Sequence, residues 1–276
     1  MEDLRKLLTT YAYNILGSYE DAKDMVQDAY LKFSKIDNEN IENKKAYLVR
    51  TVINLSINLK KRQKKLIEQY HGEWLPEPVA TEKADTTIIR KNILSYSLMV
   101  LLEKLNAKQR AVFILKEAFD YDHEEIADVL RITKENSRKI FSRAKQELKD
   151  SKIDDSTFIS KDRLEKYIEV IYNADTKQLE NLLQIDISVI ADGGGKASAL
   201  LRPVYGRPLA AKILVGMYQK FYNKPDTYIE KASINHQPAL LYFKKQKLSV
   251  CQIFEFKNGN ISRIYFMRNP DKLQSL

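Results

Sequence analysis

Asn106-Ala107-Lys108-Gln109, Asp122-His123-Glu124-Glu125 and Arg131-Ile132-Thr133 punctuate residues 95–150, a stretch without glycine or proline. The first two tetrads have the capping-box pattern, a side-chain acceptor followed three residues later by Gln or Glu. They predict a helix running on from Asn106 through Phe119 and a shorter one over Glu124–Leu130, with His123 a helix-start residue. Arg131-Ile132-Thr133 then reads as a three-residue turn whose Thr133 caps a helix from Lys134 to Lys149. On that last helix Ser137, Phe141, Ala144 and Leu148 share an inner face. Lys134, Arg138, Lys139, Ser142, Lys145 and Lys149 share the outer one. Two helices joined by three residues, the second with a basic outer face, fit a DNA-reading helix-turn-helix. Helical hairpins without a DNA function share the pattern.

Upstream, residues 1–65 also read as helices, with no proline and no glycine after Gly17. Lys44 to Lys65 holds eight basic residues and no acidic one. Leu48, Val52, Leu55 and Leu59 recur at helical spacing and are expected to face a core. Arg50, Asn54, Asn58, Lys61 and Lys65 line a second stripe of donors suited to phosphates and base edges. The helix before it is opposite in character: Asp21, Asp24 and Asp28 share one face, with Val26, Tyr30 and Phe33 roughly opposite. Those carboxylates would repel DNA, so they pair with the basic helix or meet a protein partner. His71 to Pro78, with Trp74-Leu75-Pro76, opens an extended linker.

From about residue 155 the texture changes. A helix is expected over Lys161–Leu183, a turn at Asp192-Gly193-Gly194-Gly195 and a second helix over Leu209–Tyr222. Strands are expected at Thr227–Ile234, Ala239–Phe243, Ser249–Lys257 and Ile261–Met267, with an Asn258-Gly259 hairpin turn. That order predicts a small α+β domain. The 276 residues suit two or three domains, and their charge of +9 is unevenly placed. Residues 1–43 carry −4, 44–65 carry +8, 66–94 carry −2, 95–154 carry +1 and 155–276 carry +6. Cys251 is the single cysteine and the three histidines are scattered, so no disulfide, zinc module or other metal site is expected. Met1-Glu2-Asp3 opens no secretion signal and no run of about 18 apolar residues occurs, so a cytoplasmic protein without membrane contact is expected.

Several of these stretches resemble a known family. Asp24 to Leu31, and Ala46-Tyr47-Leu48-Val49-Arg50 with Asn54, are similar to region 2 of bacterial extracytoplasmic-function (ECF) sigma factors. Gln109 to Glu117, Glu125 to Leu130 and Ser142-Arg143-Ala144-Lys145 are similar to region 4. Trp74-Leu75-Pro76-Glu77-Pro78, Asp192 to Lys196 and Asn269-Pro270-Asp271-Lys272-Leu273 resemble signatures of the subgroup with a fused SnoaL-like (polyketide-cyclase-like) C-terminal domain. The family usually has glycine where Arg131 stands, and an acid often seen near Asn58 is absent, so its promoter preferences do not transfer.

The resemblance implies a multidomain chain: a region 2 helical domain over 1–68, a linker over 69–94, a helix-turn-helix domain over 95–150 and a SnoaL-like α+β cone over 155–276. It implies a monomeric, cofactor-free, non-enzymatic factor that guides core RNA polymerase to promoter DNA. Asp24, Gln27 and Asp28 would bind polymerase. Tyr47, Arg50, Asn54, Lys60, Lys61 and Arg62 would hold the minus-ten element, and Lys134, Arg138, Lys139 and Arg143 the minus-thirty-five element. Trp74, Leu75 and Pro76 are expected to pack against Asp192, Gly193 and Gly194 and against Asn269, Pro270 and Asp271 as a regulatory contact. The alternative is a DNA-binding regulator whose C-terminal domain senses a small ligand or retains isomerase- or cyclase-like activity. Asp192 and His236 would then be an acid–base pair and Tyr205 an oxyanion donor; as structure alone, Asp192 opens a tight loop and His236 sits in a turn.

Overall fold

The computed structural model describes residues 2–36, 41–67, 69–70, 72–82, 88–149 and 161–276, with the side chains at 65, 66, 161 and 162 excepted. The boundaries expected at 68, 150 and 155, and the role of the Lys65 side chain, lie outside the described residues. The chain divides into two compact units, Met1–Gln69 with Lys83–Lys152, and Tyr70–Glu82 with Ile153–Leu276.

The first unit is helical: α1 (Glu2–Leu16), α2 (Tyr19–Ser34), α3 (Lys44–Ile67), α4 (Tyr96–Leu101), α5 (Ala107–Glu117), α6 (His123–Leu130) and α7 (Lys134–Leu148). Helix α1 is its axle, packed on α2, α3 and α5. Every residue from Leu8 to Leu16 is buried, the mark of a helix enclosed on all sides. Its polar members are satisfied internally: Thr9 and Thr10 donate to carbonyls one turn back. Thr10 also accepts from Ile89 N, and Asn14 donates to Asn92 O. The segment 88–94 is thereby stitched to α1. Both capping boxes form, at Asn106/Gln109 and Asp122/Glu125, and Thr133 caps α7. Arg131 takes the left-handed conformation that ends α6 (φ 51°), the geometry for which glycine is the usual residue.

The second unit builds a six-stranded sheet from β1 (Leu183–Asp192), β2 (Val204–Tyr205), β3 (Thr227–Ile234), β4 (Gln237–Lys244), β5 (Lys247–Lys257) and β6 (Asn260–Met267), in the order β2-β1-β6-β5-β4-β3. β1 runs parallel to β6 and every other neighbour pair is antiparallel. Helices α8 (Lys161–Tyr172), α9 (Thr176–Leu182) and α10 (Arg207–Met217) share one apolar core with the sheet, around Tyr167, Leu214, Phe254 and Phe266. This is the mixed α/β architecture of the SnoaL-like fold.

Three expectations change. The single helix over Lys161–Leu183 is two, because Ala174 turns left-handed (φ 54°) and Asp175 caps α9 through Gln178 N. Strand β1 was not among the expected strands, although Leu183, Ile185, Ile187 and Val189 are spaced by the polar Gln184, Asp186 and Ser188, and it takes its parallel partner, β6, from the far end of the chain. The linker is extended but packed: Ala80 bridges Ile234, Thr81 N donates to Ser233 O, and Val79 N donates to Asn235 Oδ1.

Candidate functional site

On α2, Asp24, Gln27 and Asp28 are exposed, whereas Asp21 turns inward and accepts a 2.7 Å hydrogen bond from Gln63 of α3. On α3, Val49, Val52, Ile53, Ser56 and Lys60 are buried while Leu55 and Leu59 are half-buried. Leu48 is buried too, so the expected stripe holds at Leu48 and Val52 and gives way at Leu55 and Leu59 to Ile53, Ser56, Ile57 and Lys60. Tyr47 packs on Phe33 with ring centroids 5.7 Å apart. Asn54 donates to Arg50 O and to Val129 O at the end of α6, at 2.8 and 3.0 Å. Arg50 is half-buried, and its Nε has no hydrogen-bond partner among the described residues. Lys61 and Arg62 are exposed.

Lys60 corrects the expectation placed on it. It is 6% exposed and donates to Leu16 O at 2.8 Å and to both oxygens of Glu103 at 2.8 and 2.9 Å. The same carboxylate pairs with the fully buried Arg110, whose Nε donates to Asn14 O at 3.0 Å. Burial alone would push the Glu103 carboxyl up, but Arg110 and Lys60 outweigh it and hold the group below its ordinary range. A lysine committed to a buried carboxylate does not reach a phosphate.

On α7, Ser137, Ala144 and Leu148 are buried, and Arg138, Lys139 and Arg143 point to solvent. Lys134 is half-buried and ion-paired to Glu124 at 2.9 Å. His123 fastens the base of this helix to α6: Nδ1 lies 2.9 Å from Ser137 Oγ and its ring meets Phe141 edge-on. Burial, then Lys116 and Arg138, lower its affinity for a proton.

In the second unit the fully buried Asp192 is a hub. Its Oδ1 accepts from Tyr70 OH (2.6 Å) and Gly194 N (2.9 Å). Its Oδ2 accepts from Leu75 N (2.9 Å) and Lys272 Nζ (2.7 Å). Lys272 also donates to Leu75 O and sits 4.1 Å from the Trp74 ring centroid, a cation–π distance. Asn269 Nδ2 donates to Tyr70 OH. Gly193 and Gly194 make the loop possible: a Cβ would lie 2.1 Å from Ala197 O at the first and 2.4 Å from the Asn269 side chain at the second. Pro270 and Asp271 are exposed, the latter paired with Lys196. With both oxygens of Asp192 taken by linker, loop and tail, the acid–base pairing with His236 does not form. His236 is exposed in the β3–β4 turn beside the buried Asn235, and Tyr205 is 67% exposed on the short strand β2.

The family model for sigma-70 region 2 matches residues 1–66, and that for sigma-70 region 4 matches residues 95–148. The chain is an ECF sigma factor homologue. It is 29% identical over 231 residues to the ECF RNA polymerase sigma factor SigJ of Mycobacterium tuberculosis, covering 80% of this chain and 72% of that protein. It is 22% identical to the probable ECF RNA polymerase sigma factor SigI of the same species, covering 99% and 93%. The crystal structure of SigJ superposes with a TM-score of 0.79 at 24% identity over 99% of this chain and 97% of that one, a likeness of fold.

Within sigma region 2 the exposed candidates are thus Asp24, Gln27, Asp28, Lys61 and Arg62, with Tyr47, Arg50 and Asn54 half-buried. Region 4 presents Arg138, Lys139 and Arg143. Sequence reasoning missed Glu103, Arg110, Tyr70 and Lys272. Lys272 lies inside a quoted signature and Arg110 inside a region 4 stretch, but nothing in the local pattern marks Glu103 or Tyr70. Among the described residues no helix is long and apolar enough to cross a membrane.

Proposed function

We propose that this chain binds core RNA polymerase and directs promoter recognition and opening, with its C-terminal domain modulating that activity through the linker. The observation that carries the reading is the pairing of sigma regions 2 and 4 in one chain, with an exposed acidic face on α2 and exposed basic faces on α3 and α7. Residues 1–68 and 95–150 act as the two reading domains. Asp24, Gln27 and Asp28 meet polymerase. Tyr47, Arg50, Asn54, Lys61 and Arg62 serve the minus-ten element, where amide and aromatic groups bond or stack on unpaired bases. Arg138, Lys139 and Arg143 serve the minus-thirty-five element, with Lys134 released from Glu124. Asp192 and Lys272 support the regulatory role, because they hold Leu75 of the segment that joins the reading domains.

Run-off transcription with core polymerase tests the reading, and Asp24→Arg is expected to abolish both transcript and co-purification with polymerase. A variant that still co-purifies removes the polymerase assignment and leaves a DNA-binding regulator. Arg138→Ala is expected to weaken promoter binding by about 1–3 kcal/mol and to relax discrimination at one base pair, the effect of losing a bidentate guanine contact. Equal loss on every sequence makes Arg138 a phosphate contact instead. Truncation before Asn269 is expected to change transcript yield, and an unchanged yield refutes the regulatory coupling.

A further inference from the structure

Part of the charge of +6 on residues 155–276 collects at one end of the second unit's sheet. Arg263, Lys272, Lys196 and Lys231 are consumed in ion pairs with Glu255, Asp192, Asp271 and Glu165. Lys220, Lys224, Lys244, Lys245 and Lys247 are in no ion pair among the described residues, and all five are exposed. The topology gathers them at one end of the sheet. Lys244 pairs with Thr227 across β3–β4, and Lys245 N donates to Asp226 O at 2.9 Å. Thr227 Oγ1 donates to Lys224 O at 2.7 Å and to Tyr222 O, which draws in the turn carrying Lys220. Asp226 is the sole acid in residues 218–229 and 243–248.

The β4–β5 hairpin at this end is built against its own stability. Lys244 and Lys247 are direct cross-strand partners, where like charges destabilise the pair. The two residues between them, Lys245 and Gln246, both hold positive φ, at 49° and 61°, where Asn-Gly would be the low-energy choice. Neither residue is a glycine, so each holds a left-handed conformation that its Cβ disfavours. Local sequence that breaks such rules without internal compensation marks a functional site, and an anion laid across the turn would relieve the repulsion. Beside it Tyr228, 44% exposed, stacks on Phe243 with centroids 4.8 Å apart and planes 6° apart. Lysine donors beside an aromatic face, with no aliphatic anchor on the turn itself, suit a nucleic-acid backbone better than a lipid surface.

We propose that the Lys244–Lys247 hairpin, with Lys220 and Lys224, is a sequence-independent phosphate contact by which the C-terminal domain grips the DNA held by the sigma regions. The inference rests on the promoter-binding reading above. Tethering gives the hairpin its value, because linkage to two DNA-reading regions raises its effective concentration on the duplex. The contact adds affinity and residence without specificity.

The test is a salt titration of full-length chain on a promoter duplex and on a scrambled duplex, comparing wild type with a Lys244→Gln, Lys245→Gln, Lys247→Gln variant. The slope of log K against log salt is expected to shrink in magnitude by about 2–3, at roughly 0.9 per phosphate contact. Affinity at 0.1 M salt should fall at least about tenfold, equally on both duplexes. The variant loses only repulsion, so it should melt no lower than wild type, and Lys245→Gly should raise the melting temperature by easing the turn. An unchanged slope overturns the proposal, as does a loss confined to the promoter duplex. An unchanged slope with weakened capture of core polymerase, or of phosphatidylserine vesicles, overturns it in favour of that partner. Run-off transcription by the same variant separates the readings: transcript with an unchanged slope sinks the hairpin alone, and no transcript from wild type sinks the sigma reading.

Discussion

Asp192→Ala is expected to unfasten the linker from the second unit and lower that unit's melting temperature by roughly 10–20 °C. The carboxylate is fully buried and receives Tyr70 OH, Gly194 N, Leu75 N and Lys272 Nζ. Removing it strands a lysine ammonium that is only 13% exposed together with three other donors, Tyr70 OH, Gly194 N and Leu75 N. Breaking one partner out of a buried pair costs about 3–5 kcal/mol, and each kcal/mol shifts the midpoint of a domain of this size by a few degrees. Limited proteolysis reads the local part of the effect, since the backbone at 72–82 becomes accessible while the first unit stays protected. Asp192→Asn keeps the shape and one acceptor, so it should fall between wild type and alanine. His236→Ala and Tyr205→Phe touch none of these bonds and should stay within about 0.5 kcal/mol of wild type. A catalytic role for Asp192 predicts the reverse, a stable alanine variant with a lost turnover; a variant that melts like wild type ends the hub assignment.

Glu103→Gln should destabilise the first unit by a similar amount, for a related reason. Glu103, about 20% exposed, stands between Lys60 from α3 and Arg110 from α5. Without its charge two cations share a buried site, one of them with no exposed surface. The sign of the pH effect follows from the lowered carboxyl. A group bound more weakly by protons when folded than when unfolded stabilises the fold above its unfolded value. That contribution fades as pH drops below the ordinary value of 4.5 toward the lower folded one. The gap between wild type and Glu103→Gln should therefore be widest near neutral pH and close in acid. Thermal melts from pH 7 to pH 3 measure it, and a gap independent of pH contradicts the assignment. A Lys60→Met, Glu103→Leu, Arg110→Met variant replaces the whole triad with apolar volume and should recover most of the lost stability.

What was legible in the sequence was the local and the periodic. The caps at Asn106, Asp122 and Thr133 appear where their side chains require them. The β3–β6 strands follow their alternation, and the Asn258-Gly259 turn holds both residues at positive φ. The outward cations Arg138 and Lys139 followed from helical spacing, and Arg143 from the family resemblance. The signatures around Trp74, Asp192 and Asn269 pointed to one another before any contact was visible.

Only the tertiary structure decided what each charged residue is for. Lys60 and Lys61 are neighbours in a run of like charges, yet one is buried on Glu103 and the other is exposed. A helix turns 100° per residue, so adjacent lysines face different solvents, and the identity of the buried one depends on where α1 and α5 land. Glu103 has no local mark because its partners lie 43 and 7 residues away. Tyr70 reaches Asp192 across 122 residues, and β1 finds its parallel partner in β6. Caps and the hydrogen bonds within a helix or turn act over one turn of chain and can be read as text; burial, ion pairing and long-range hydrogen bonds such as Tyr70 to Asp192 are set by what the rest of the chain brings alongside.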